Sequence, residues 1–93
     1  MTDSLTLHIR LFGSLREAAG WSDRSVQAPG GATSLHLWHQ LELAGAWPGD
    51  AGHGGVAGLP EGLRVAINQA FAAADTPLAD GDELAFLPPI SGG

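Results

Sequence analysis

Residues 5–12, LTLHIRLF, alternate without a break. Leu5, Leu7, Ile9 and Leu11 fall on one face, and Thr6, His8, Arg10 and Phe12 on the other, the pattern of a half-buried strand. GSLREAAG (13–20) reads as a short helical turn, with Ser14 as cap, Glu17 as its capping-box partner and Gly20 as its end. RSVQA (24–28) reads as a second strand. Thr33 or Ser34 opens the main helix, SLHLWHQLELAGA, which carries an apolar stripe of Leu37, Leu41 and Ala44 with Trp38 beside it and stops at Pro48. LRVAIN (63–68) alternates again, with Leu63, Val65 and Ile67 on one face. DTPLADGDE is turn chemistry, and ELAFLP is a last strand with Leu84 and Phe86 inward.

That order of strands, one main helix and further strands predicts an α+β roll, a small mixed sheet with the helix packed on one face. The last strand is expected at its centre, because Leu84 and Phe86 are among the most apolar residues available to line a core. Residues 45–62 hold seven glycines and two prolines, and read as a flexible loop within a single domain spanning 1–93.

The same phases place other residues outward. If Leu11 and Phe86 face the helix, Phe12 and Leu87 face away from it. Phe71 follows the turn at Asn68-Gln69, beyond the alternating run. Together they would form an apolar patch on the open face of the sheet. Large patches of this kind mark binding surfaces, although single exposed apolar residues are common and need no explanation.

Charge narrows the partners. The chain carries ten acidic residues, four arginines and no lysine, for a net charge of −6. Nucleic acid and anionic membranes need a basic footprint, so neither is an expected partner. No apolar run reaches the roughly 20 residues of a membrane span, and no signal peptide opens the chain, so a cytoplasmic location is expected. The absence of cysteine removes disulfides, thiolate metal sites and a thiol nucleophile. His36 and His39 share a helix face and His53 lies in the loop, but no carboxylate or cysteine completes a metal set. Asp75, Asp80, Asp82 and Glu83 lack the spacing of a calcium loop. No metal site and no bound cofactor are expected, and no Ser/His/Asp framework suggests independent catalysis.

The chemistry concentrates in the tail, residues 88–93. Pro88 and Pro89 lack backbone N–H groups, end the ladder, and hold the chain extended. Ile90 and Ser91 follow, then Gly92 and Gly93. Two residues without Cβ atoms can thread a narrow channel and present a carboxylate to another protein's active site. A carboxylate is a poor electrophile and must first be activated, for instance as an acyl-adenylate. Sulfide transfer would then give a thiocarboxylate, and amine attack an amide.

RVAINQAFAAADTPLADGDELAFLPPISGG, with RLFGSLREAAG near the other end, resembles the MoaD-type sulfur carriers, the small subunits of molybdopterin synthase in the MoaD/ThiS family. VAINQ before a turn, PLADGDELAFLPP and the final Gly-Gly carry the resemblance, and Arg16-Glu17 falls in register. It implies the β-grasp, ubiquitin-like fold. It also implies that a MoeB-type adenylating enzyme uses ATP to activate the Gly93 carboxylate. A sulfur donor protein would make the thiocarboxylate, and the tail would deliver sulfur for the dithiolene of molybdopterin within a MoaE-type large subunit. Phe12, Phe71 and Leu87 fall on the family's contacts to that subunit, and a heterotetramer of two small and two large subunits is the implied assembly. Loop 45–62 looks longer than usual, Leu87 stands where an aromatic residue is frequent, and Ser91 is at a variable position. Two alternatives stay open: a carrier of the same fold for thiamine, thionucleoside or cysteine synthesis, and a ubiquitin-like modifier conjugated through Gly93.

Overall fold

The computed structural model describes residues 4–46, 59–60 and 62–89. Five strands, β1 (Ser4–Leu11), β2 (Asp23–Pro29), β3 (Arg64–Ile67), β4 (Ala70–Ala72) and β5 (Glu83–Leu87), form one sheet in the order β2-β1-β5-β3-β4. β1 and β5 run parallel and every other pair is antiparallel. Helices α1 (Gly13–Ala19) and α2 (Ser34–Gln40) complete the α+β roll of the β-grasp class. Among the described residues no helix is long and apolar enough to cross a membrane.

The strand phases explain the core. Leu7, Ile9 and Leu11 of β1, Val65 of β3, and Leu84 and Phe86 of β5 are all buried, and they meet Leu37 and Trp38 of α2. Trp38 and Phe86 pack with ring centroids 5.5 Å apart at an interplanar angle of 57°, a tilted arrangement favoured by the ring quadrupoles. β5 is indeed the central strand, because its inward pair reaches both halves of the sheet.

Three local readings need correction. Helix α1 starts two residues earlier than expected: Phe12, not Ser14, occupies the cap position, without any side-chain cap, so Ser14 and Glu17 do not form a capping box there. The main helix ends at Gln40, well before Pro48. Glu42 takes a left-handed conformation (φ 55°) and a 3-10 turn follows at Leu43–Ala46. That break drops Leu43 into the core and leaves Ala44 exposed, so the larger side chain takes the buried place. Finally, Leu59 and Pro60, counted in the loop, are buried, and Leu59 belongs to the core cluster. Thr33 is the cap of α2, its hydroxyl accepting from His36 N–H at 3.5 Å.

The acidic turn before β5 is a fastener. Thr6 N–H donates to Asp80 at 2.7 Å, while Asp82 accepts from Ala79 N–H at 2.8 Å and from the Asn68 carboxamide at 2.9 Å. Asn68 in turn accepts from Glu83 N–H at 3.0 Å. These bonds tie the entry of β5 to the β3–β4 turn. Asp82→Ala is therefore expected to lower stability by about 1–2 kcal/mol, because it strands charge-assisted donors. Urea unfolding should show a lower midpoint at constant slope; an unchanged midpoint would leave the fastener without energetic weight.

Candidate functional site

Among the described residues, one face of the sheet is left uncovered. By register, Arg10, Ala85, Ala66 and Phe71 lie in one row across β1, β5, β3 and β4. The two alanines at the centre of that row are too small to fill it. A depression of about 410 Å³ results, lined by Arg10, Phe12, Ala66, Gln69, Phe71, Glu83, Ala85 and Leu87. Phe12, Phe71 and Leu87 are thus brought together around one concavity. Phe71 is the most exposed of them, at 69%, while Phe12 and Leu87 are half-buried.

Two of the four arginines hold the rim. Arg10 lies over the Phe12 ring at 5.1 Å and Arg64 over the Phe71 ring at 5.4 Å, within the range of attraction between a cation and a ring face. Arg10 also approaches Glu83 at 4.0 Å. An apolar floor with fixed aromatic walls and a polar margin suits protein–protein docking better than a small polar substrate.

The root of the tail adjoins this face. Leu87 leads directly into Pro88, and Phe12 into Gly13. Gly13 has φ +57°, and a Cβ there would lie 3.3 Å from Pro88 Cγ. Gly62 has φ +89°, and a Cβ there would lie 3.4 Å from Pro89 Cγ. Both glycines have a left-handed backbone that a side chain would strain, and at Gly13 a Cβ would also stand tightly against Pro88. The proline pair rests in this collar, with Pro88 half-buried and Pro89 exposed. Ile90, Ser91, Gly92 and Gly93 lie outside the described residues, as does most of loop 45–62.

The collar glycines, the alanine floor and the two arginine–ring contacts were not picked out from sequence. Ala66 and Ala85 carried a usable signal, since both fall at outward phases of strands whose inward residues are large. Gly13 and Gly62 carried none, because their partners are distant in the chain. Of the candidate metal residues, Asp80 and Asp82 serve the turn, and His36 lies 3.1 Å from the Gln40 carboxamide. Among the described residues no group of three or more His, Cys, Asp or Glu could hold an ion.

Comparison with known proteins agrees with this architecture. The molybdopterin synthase sulfur carrier subunit of Escherichia coli (strain K12) is 31% identical over 88 residues, covering 94% of this chain and 99% of that protein. Its namesake from Mycobacterium tuberculosis (strain H37Rv) is 31% identical over 90 residues, covering 96% and 99%. Among solved structures, SAMP1 from Haloferax volcanii superposes with a TM-score of 0.73 at 32% identity, covering 95% of this chain and 99% of its own. The model of the ThiS family matches residues 9–93, from the middle of β1 through the whole tail. The chain therefore belongs to the ThiS family.

Proposed function

We propose that this protein is the sulfur carrier subunit of a molybdopterin synthase. The observation that carries the reading is contiguity. The docking depression and the collared tail root share Phe12-Gly13 and Leu87-Pro88, so a protein seated on the open face receives the tail beside it. Relatives at 31% identity over nearly the whole chain are sulfur carrier subunits of that enzyme.

The chemistry follows from a carboxylate's needs. The Gly93 carboxylate attacks the α-phosphate of ATP on an adenylating partner, giving an acyl-adenylate and releasing pyrophosphate. Sulfide-level sulfur delivered by a donor protein then attacks the acyl carbon, displaces AMP and leaves a thiocarboxylate. The tail, Pro88 through Gly92, spans the channel of the large subunit, where the sulfur passes to the pterin precursor of molybdopterin. Phe12, Phe71 and Leu87 form the contact with that subunit. The chain holds no cofactor of its own, and it acts in the cytoplasm within an assembly of two small and two large subunits.

Incubation with an adenylating enzyme of the MoeB type, ATP and a sulfur donor should shift the intact mass by replacement of one oxygen by sulfur, localised to Gly93. An unchanged mass, under conditions that load a known carrier, would refute the reading.

The likeness to SAMP1, a small archaeal modifier protein, favours a second reading in which the same activated carboxylate is joined to lysine amines of other proteins. Branched peptides bearing Gly92-Gly93 on lysine, recovered from the cell, would establish it.

A further inference from the structure

The turn between β3 and β4 contains an unexplained cost. Asn68 has φ 52° and Gln69 has φ 70°, two consecutive left-handed residues between antiparallel strands. This is the type I′ pattern, in which glycine is strongly preferred at the second position because the left-handed backbone crowds any Cβ. Asn68 gains from its conformation through its bonds to Glu83 N–H and Asp82. Gln69 gains nothing comparable. Among the described residues its carboxamide makes no hydrogen bond, it is exposed, and it lines the depression beside Phe71 and Glu83. Strained side chains persist where the surroundings impose them or where function uses them.

We propose that Gln69 is a specificity-determining residue of the partner-binding face. Its carboxamide pairs with a peptide group of the large subunit when an apolar side chain of that subunit sits on Ala66 and Ala85. A carboxamide offers both a donor and an acceptor, and so can satisfy a peptide N–H and a carbonyl together. This inference rests on the docking of a large subunit proposed above.

The test uses the full-length protein and the organism's own molybdopterin synthase large subunit, with thermal unfolding and calorimetric titration measured on each variant. Gln69→Gly is expected to raise the unfolding midpoint by roughly 4–8 °C, through relief of the left-handed strain. The same change should weaken binding roughly three- to tenfold, through loss of the hydrogen bonds. Gln69→Ala, which keeps the strain and loses the amide, should leave the midpoint unchanged and weaken binding equally. A merely structural residue would not give stability and affinity of opposite sign. Wild-type affinity in both variants, with affinity lost in Phe71→Asp, would overturn the role of Gln69 and leave docking intact. Wild-type affinity in Phe71→Asp as well would remove the docking face, and this inference with it.

Discussion

Deleting Gly93 is expected to abolish loading of the carrier with sulfur while leaving the unfolding midpoint where it was. The reacting group in the proposed chemistry is a main-chain carboxylate, so no side chain can substitute for it. The deletion moves that carboxylate to Gly92, back along the chain by up to about 3.6 Å. Misplacement by about 1 Å can already cost a hundredfold in rate, because the near-attack geometry is lost. Loading should therefore fall by at least about two orders of magnitude, read by intact mass after incubation with the adenylating enzyme, ATP and sulfur donor. Stability is carried further back, by Leu84 and Phe86, both fully buried. If the shortened chain loaded normally, the position of the carboxylate would not matter. If it unfolded, the tail would belong to the core.

Phe71→Asp is expected to weaken the complex with the large subunit by about 3 kcal/mol or more, over a hundredfold in Kd. The effect combines lost aromatic area at the wall of the depression with a carboxylate forced against its alanine floor. Burying an unpaired charge alone costs several kcal/mol. Arg64, now 5.4 Å from the ring, could partner the new carboxylate in the free protein, which lowers the free state and adds to the loss on binding. Because Phe71 is 69% exposed on a three-residue edge strand, the fold itself should be little affected. Calorimetric titration alongside thermal unfolding separates the two. Unaltered affinity would show that this face is not where the large subunit sits.

Much of this could be read from residue order, for physical reasons. A period of two in LTLHIRLF and ELAFL identifies the inward faces, since one buried side of a sheet demands it, and those faces assemble as expected. The end of the ladder is legible because Pro88 and Pro89 offer no backbone N–H, whatever lies elsewhere in the chain, and β5 stops at Leu87. The sequence pattern carries helix α2 too far, because the apolar spacing of LHLWHQLELA continues past Gln40. The left-handed break at Glu42 is rewarded only by burial of Leu43, a tertiary gain. β4 was not separately recognised for a similar reason: Gln69 holds the place where glycine would announce the hairpin. The collar and the depression depend on pairing between remote strands, and no local window of sequence contains both sides of either.

The central place of β5 has a consequence for how the chain comes into being. Its parallel partner β1 lies at the opposite end of the sequence, and the bond from Thr6 to Asp80 joins residues 74 apart. Closing so long a loop is costly before any contact repays it, so folding should be slow for a domain of this size. Until β5 is synthesised, Leu7, Ile9, Leu11 and Val65 have no central strand to pack beside. Fragments that stop short of β5 should therefore be unfolded and prone to aggregate, a point that pulsed proteolysis of truncated chains can settle. Folding therefore waits on β5: the last of these strands along the chain is the one that both halves of the sheet need.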